Sequence, residues 1–282
     1  MSAPLLVELV CEELPPKALG KLGAAFAQGI RDGLAKRGLL DEPSDALLFA
    51  TPRRLAMGLR AVRDASEPKA LEVKLMPVSV GLDANGKPTA ALEKKLAAMG
   101  LAGTDPAKFK KRMDGKAETL FLDTTTPPMP LAEALQGALD ESIAQLPIPK
   151  LMSYQLADGK TTVHFVRPAH ALVALHGDKV VPVSALGLQA GRETRGHRFQ
   201  GASRITLARA DDYERALAEE GGVIASFARR RSTIQQQLDA AAKQHAGSLG
   251  PAGSYDALLD EVTALVEMPT VYAGAFKSTL NK

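Results

Sequence analysis

Apolar residues recur at spacings of three and four through Leu19, Leu22, Phe26, Ile30 and Leu34, while Lys17, Lys21, Gln28, Arg31 and Asp32 fall on the opposite side. This period predicts an amphipathic helix over Pro16–Lys36, opened by proline and closed by Gly38. The preceding run Leu5–Val10 is β-prone and apolar apart from Glu8, and it stops where Pro15 and Pro16 remove the N–H donors that a ladder needs. A strand followed by a helix is the predicted opening.

Leu47-Leu48-Phe49 and Leu55–Val62 read as two strands around a basic turn, Thr51-Pro52-Arg53-Arg54. Leu71–Val80 is a further strand, Asp83–Pro88 a turn, and Thr89 the cap of a short helix reaching Met99. Thr119–Thr125 follows as a strand and Leu131–Ile143 as a helix. Short strands are predicted over Val163–Val166, Ala171–Leu175 and Lys179–Val183, the last two joined by the turn His176-Gly177-Asp178. Phe49-Ala50-Thr51-Pro52 with Leu59, and Phe165-Val166-Arg167-Pro168 with Leu175, share Phe, Pro and Leu at equal offsets, by chance or by duplication.

Beyond Leu207 the pattern turns helical. Asp211-Asp212 opens one helix, Val223–His245 carries a second, Tyr255–Val266 a third, and Thr270–Ala273 is extended. The class is therefore α+β, with mixed sheet and helices in the N-terminal part and mainly helix towards the C-terminus. Residues 1–208 are expected to form one α+β module, or two subdomains split near 146–152, where Leu146-Pro147-Ile148-Pro149 resembles a linker; residues 209–282 follow as a mainly helical region.

Composition narrows the class. The 282 residues are 45% hydrophobic and 24% charged, which describes a globular chain rather than a disordered or fibrous one. No run approaches the roughly 20 apolar residues of a membrane span, and Leu5-Leu6-Val7 meets Glu8 before a signal sequence can form, so a cytoplasmic location is expected. The single cysteine, Cys11, excludes an internal disulfide framework and reads as a small apolar strand residue.

Catalytic signatures are missing. There is no Gly-x-x-x-x-Gly-Lys-[Ser/Thr] phosphate loop, no Gly-x-Gly-x-x-Gly opening a helix and no Gly-x-Ser-x-Gly elbow. His164, His170 and His176 are evenly spaced, but Pro168 interrupts the run and no acid or cysteine stands at ligand spacing, so no metal site is expected. Glu12-Glu13 point to opposite faces of an extended chain, which suits helix entry better than paired acid/base work.

The net charge is only +3, yet Arg192, Arg195, Arg198, Arg204 and Arg209 lie in one short segment against Glu193 alone. Within it, Ala190-Gly191-Arg192-Glu193-Thr194-Arg195-Gly196-His197-Arg198-Phe199 combines glycines for close backbone approach, cationic donors for phosphate, and a phenylalanine that stacks or anchors the loop. The alternative is a solvated loop whose arginines pair with the chain's own acids. Arg229-Arg230-Arg231 cannot form one patch on a helix; a buried stripe of Ile224, Phe227, Ile234, Leu238 and Ala241 takes in Arg231, flanks Arg230 and leaves Arg229 outward.

Several of these segments occur together in one family. Leu5-Leu6-Val7-Glu8 with Glu12-Glu13-Leu14-Pro15-Pro16-Lys17, Thr51-Pro52-Arg53-Arg54-Leu55-Ala56, Phe165-Val166-Arg167-Pro168 with Val180-Val181-Pro182, the Ala190–Phe199 stretch, and Leu258-Leu259-Asp260-Glu261-Val262-Thr263 through Glu267 resemble the beta subunit of bacterial two-subunit glycyl-tRNA synthetase. The motifs span nearly the whole chain in the family's order. Ser153, Ala171 and Met268 stand where the family usually has tryptophan, which puts local packing or stacking in question.

The resemblance implies an N-terminal fragment of a longer subunit. Its first 208 residues would be similar to the editing-like module of the phenylalanyl-tRNA synthetase beta subunit, and 209–282 would lead into a further C-terminal part. It further implies a tRNA-binding and assembly role in a glycine-tRNA ligase, with catalysis, ATP and Mg in a separate alpha subunit of an alpha2beta2 assembly, and no cofactor or catalytic residue here. The glycine acceptor tRNA and the alpha subunit are the implied partners, with no membrane or DNA. Arg192, Arg195, His197 and Arg198 are the leading RNA contacts, and Arg53, Arg54 and Arg167 secondary ones. The competing functions are an editing-type hydrolase of mischarged aminoacyl-tRNA and a structural scaffold.

Overall fold

The computed structural model describes residues 2–41, 45–115, 117–251 and 253–274. They fall into two compact units, Met1–Ser66 with Met129–Lys282, and Glu67–Pro128. The proline-rich stretch at 146–149 lies inside the first unit, as does the helical region after residue 209.

In chain order, β1 (Ser2–Cys11) leads into α1 (Pro16–Lys36), and β2 (Leu47–Thr51) and β3 (Arg54–Arg63) follow. The second unit holds β4 (Ala70–Pro77), the single turn α2 (Val78–Gly81), α3 (Ala90–Ala98), β5 (Phe109–Asp114) and β6 (Ala117–Thr125). The first unit resumes with α4 (Leu131–Ala144), β7 (Met152–Gln155), β8 (Thr162–Phe165), β9 (Ala169–His176) and β10 (Lys179–Val180). Four more short strands, β11 (Ser184–Ala185), β12 (Leu188–Gly191), β13 (Glu193–Thr194) and β14 (Ile205–Thr206), precede α5 (Tyr213–Glu219), α6 (Phe227–Gln244) and α7 (Asp256–Thr263). No helix among the described residues is long and apolar enough to cross a membrane.

The first unit is organised on β1, the centre of a sheet ordered β11-β12-β9-β1-β3-β2, with β10 also on β9. Leu5, Val7, Leu9 and Cys11 face α1 and α4; Leu6 lies on the other face with Phe49, Val173 and Leu175, under Leu207, Tyr213 and Leu217. A strand covered on both faces is apolar on both wherever a buried polar group would lack a partner, which is why Leu5–Val10 reads as a run, broken only by the paired Glu8, rather than an alternation. Burial pushes the Cys11 thiol up to about 12, so it packs as an inert apolar group. The two Phe–Pro–Leu segments are alike in part: β2 turns into β3 and β8 into β9, and β3 and β9 flank β1 so that Val7 lies opposite Met57 on one side and Ala174 on the other, but β2 pairs with β3 whereas β8 pairs with β7 in a separate sheet. Both corners also close onto the end of β1, where Cys11 N–H donates to Arg53 O and Glu12 N–H to Pro168 O, each at 2.9 Å.

Small residues let α1 and α4 approach closely. A Cβ on Gly33 would stand 2.6 Å from Ala138 Cβ, and one on Gly29 2.9 Å from Ser142 Cβ. Gly33→Ala is therefore expected to destabilise the chain by about 1–3 kcal/mol through overpacking, although alanine alone favours a helix interior by about 1 kcal/mol. The urea midpoint measures the balance, and a rise would mean that the two helices have room to separate.

The second unit is a three-stranded antiparallel sheet, β4-β6-β5, with a small core of Leu75, Leu92, Leu96, Leu120 and Leu122. Thr89 caps α3 as its sequence predicts, accepting from Leu92 N–H. The predicted strand over Leu71–Val80 is shorter than expected, because Pro77 ends the ladder and the chain turns through α2. Strand β5 was invisible to the apolar pattern: Lys110, Lys111, Arg112 and Asp114 are exposed, and the strand is defined by its backbone pairing with β6, with Phe109 packed on the small core.

Helix α6 starts at Phe227, capped by Ser226, rather than at Val223. Arg231 is less exposed than Arg229, at 33% against 66% of the side chain, because Asp256 and Asp260 of α7 hold it. The innermost member of the run is nevertheless Arg230, which is fully buried. Its guanidinium donates to the carbonyls of Ala50 and Ile224 at 2.7 Å and also to Ala225 and Thr263, and burial lowers its pKa to about 10. A hydrophobic stripe cannot reveal a cation whose partners are backbone carbonyls of β2, of the residues before α6 and of the end of α7. Thr270–Ala273 takes no ladder partner among the described residues; Val271 N–H instead donates to Gln237 Oε1 of α6 at 2.7 Å.

Candidate nucleic-acid interface

The basic segment leaves the sheet at β12 and returns as β13, which pairs with β14 so that Thr194 lies opposite Ile205. Residues 195–204 form the excursion between them. Their backbone is pinned: Gly196 N–H donates to Ala202 O (3.0 Å), His197 N–H to Gly221 O (2.7 Å) and Ala202 N–H to Glu220 O (2.9 Å). Glycine is required here by close approach, since a Cβ on Gly196 would stand 2.8 Å from Gly221 Cα and one on Gly201 2.9 Å from the same atom. Gly191 has open space around the same position, so its absent side chain is not demanded by packing.

The predicted contact residues separate into three kinds. Arg195 is exposed and its guanidinium has no hydrogen bond or ion pair among the described residues; Arg53 is half-buried, and its Nε is buried without a partner. Arg198 is exposed but bound to the chain's own acids, with Nη2 3.2 Å from Glu12 Oε2 and Nη1 3.6 Å from Glu13 Oε1. Arg192 and Arg167 brace the backbone: the first donates to the carbonyls of Asp178, Leu207 and Ala208, the second to those of Glu13 and Val166 at 2.9 and 2.8 Å. His197 accepts through Nδ1 from Phe199 N–H at 3.2 Å.

Arg54 is fully buried, so its assignment as an RNA contact is corrected. It donates to Glu8 Oε1 (3.1 Å), Glu267 Oε1 (3.2 Å), Thr51 Oγ1 (3.0 Å) and the Arg195 carbonyl (2.9 Å). Burial opposes its charge, but Glu8, Tyr213 and Glu267 more than offset this and hold the guanidinium above its ordinary range. Tyr213 Oη donates to the same Glu8 oxygen at 2.6 Å, and burial followed by the Glu8 charge raises its phenol well above the usual value. The helix-entry role expected for Glu12-Glu13 is also corrected, since the first turn of α1 holds no acid. Glu12 instead stands between His170 Nε2 (2.9 Å) and Arg198, and the hydrogen bond to His170, followed by Arg198, holds its carboxyl below the usual range.

Two adjoining cavities open along the loop. One, of about 300 Å³, is lined by Arg53, Arg195, His197, Arg198 and Arg204; the other, of about 240 Å³, shares Arg53, His197 and Arg198 and adds Phe199 and Leu265. Arg204 is 78% exposed with only a long contact to Glu193, so cationic donors dominate the first cavity. Such a surface suits a polyanion, which pairs with exposed guanidinium groups through charge-assisted hydrogen bonds.

Residues 5–280 match the family model of the glycyl-tRNA synthetase beta subunit. The chain belongs to that family. The glycine-tRNA ligase beta subunit of Acidovorax ebreus is 54% identical over 275 residues, which cover 97% of this chain and 38% of that protein. Those of Delftia acidovorans and Thiobacillus denitrificans are 55% and 52% identical, over 97% and 98% of this chain and 39% of each relative. The chain thus spans well under half the length of the curated relatives it matches.

Within this glycyl-tRNA synthetase beta-subunit chain, no group of three or more His, Cys, Asp or Glu suited to a metal ion occurs among the described residues. Sequence reasoning missed the buried group around Glu8, although one signal was present, an acid in the middle of an otherwise apolar strand. Thr51, Tyr213 and Glu267 carried no comparable mark.

Proposed function

We propose that this chain is the tRNA-binding and assembly portion of a glycine-tRNA ligase beta subunit, working in the cytoplasm and supporting the attachment of glycine to its tRNA. The alpha subunit of an alpha2beta2 assembly is the partner that binds ATP and Mg and performs the chemistry. The observation that carries this reading is the uncompensated Arg195 guanidinium, exposed on a pinned loop beside Arg53 and the weakly paired Arg204. Arg192 and Arg167, by contrast, are turned onto backbone carbonyls. Arg195, Arg53, His197 and Arg198 are the assigned backbone contacts, with Arg192 holding the strand from which the loop springs.

Titration of the chain with glycine tRNA at low ionic strength tests the reading. Binding that weakens steeply as salt rises is expected, and no retention at any salt would overturn it. A second expectation follows from the lack of a phosphate-binding element: the chain alone should give no glycine-dependent exchange between ATP and pyrophosphate. Exchange by the purified chain would move the chemistry back into it.

A further inference from the structure

We infer that this site takes an unpaired nucleotide of the RNA, its base laid on the Phe199 ring and its phosphate held by Arg53 and Arg198. The inference rests on the tRNA-binding reading and adds the kind of RNA element that is gripped.

Phe199 is 84% exposed. Large apolar side chains in such a position mark a binding surface when they sit in a patch, and Phe199 does, because Leu265 beside the same cavity is itself 57% exposed. The ring is also oriented rather than loose. Its own N–H donates to His197 Nδ1 at 3.2 Å, and the two rings meet edge to face with centroids 6.2 Å apart. The loop that carries both is fixed to Gly221 through the His197 N–H. An aromatic ring held in water on a fixed backbone is prepared for a flat partner.

The cavity beside it has the two-sided chemistry of a nucleotide. Pro52, Leu265 and Met268 give it apolar walls, Arg53, His197 and Arg198 supply donors, and its two carboxylates are each paired with an arginine, Glu13 with Arg198 and Glu267 with Arg54. The same three donors also line the neighbouring 300 Å³ cavity, where Arg195 and Arg204 join them. One space thus suits a base and the next a phosphate chain, with Arg53 in the wall common to both and its buried Nε lacking a partner among the described residues. At about 30 Å³ per water, the smaller cavity of about 240 Å³ holds the volume of several waters, room for a single base. A paired base also has no free face to offer, because both are covered by its neighbours in the stack.

An apolar protein partner is the competing occupant of Phe199 and Leu265. Four arginines, Arg53, Arg195, Arg198 and Arg204, line the same two cavities against Glu13 and Glu267, and this surplus of positive charge favours RNA, whose phosphates pair with exposed guanidinium groups.

The test compares a short single-stranded RNA with the same strand annealed to its complement, using the 282-residue chain, its Phe199→Ala and Phe199→Tyr variants, and Arg53→Ala. The single strand should bind more tightly than the duplex. Phe199→Ala should weaken single-strand binding by roughly five- to a hundredfold with an unchanged salt slope, while Phe199→Tyr retains it. Arg53→Ala should instead flatten the slope by about 0.7. Phe199 is exposed, so its variants should unfold like the parent. Equal affinity for single strand and duplex, or an unaltered Phe199→Ala, would overturn the nucleotide site while leaving salt-dependent tRNA binding intact. A Phe199→Ala variant that loses only a protein partner would also overturn it and assign the patch to that partner. Failure of the parent chain to bind any RNA would overturn this inference and the tRNA-binding reading together.

Discussion

Arg54→Met should lower the unfolding free energy by about 3–5 kcal/mol, the range expected when one partner of a buried ion pair is removed. The guanidinium is fully buried and pairs with two carboxylates that are themselves buried, Glu8 from β1 and Glu267 from the segment after α7. Without it, Glu8 keeps only the Tyr213 hydroxyl and Glu267 the Thr51 hydroxyl, at 2.6 and 2.8 Å. Two anions would then lie in the interior without their cation. A loss of this size is a large share of the roughly 5–15 kcal/mol that typical domains possess. Urea unfolding should show a lower midpoint with little change in slope.

The decisive companion is the triple variant Arg54→Met, Glu8→Gln, Glu267→Gln, which removes the charges together and should recover much of the loss. An Arg54→Met chain as stable as the parent would mean that the cluster contributes nothing to folding. The same substitution should also loosen the basic loop, because Arg54 Nη2 holds the Arg195 carbonyl at 2.9 Å.

Replacing Arg53, Arg195 and Arg198 together by alanine should flatten the salt dependence of tRNA binding by about two to three log-log units, since each lost phosphate contact removes the release of somewhat under one counterion. Well-formed charge-assisted contacts are worth on the order of 1.5–3 kcal/mol each, so half that value over three sites predicts at least about a tenfold loss of affinity. Arg198 should be the smallest contributor, because an RNA phosphate must first displace Glu12 and Glu13. Arg192 is left out of the set: its guanidinium braces three backbone carbonyls, and alanine there would disturb the loop as well as the charge. Arg229 is the control, being exposed on α6 and paired with Glu214, and its removal should matter less. The triple variant must unfold at nearly the parent temperature. Unchanged affinity and slope in such a well-folded variant would make the loop structural.

Neighbouring residues show how far the chain's own pattern reaches. Helix α1 occupies Pro16–Lys36, the span its apolar period predicts, and β1 extends the predicted Leu5–Val10 by three residues at its start and one at its end. The basic loop was legible as a cluster of arginines between glycines. Arg53 and Arg54, by contrast, look alike in the sequence and have opposite fates, one at a cavity wall and one fully buried.

Local period and turn chemistry depend on residues within one or two turns of each other, so the sequence by itself determined the main helices, the central strands and the place of the cationic loop. Tertiary structure alone decided which arginines are free. Arg54 finds Glu267 213 positions away, Arg198 finds Glu12 186 positions away, and Arg230 is held by the Ala50 carbonyl 180 positions away. A guanidinium's charge is written in its codon, but whether an acid or a carbonyl neutralises it depends on which distant segments the fold brings within about 3 Å.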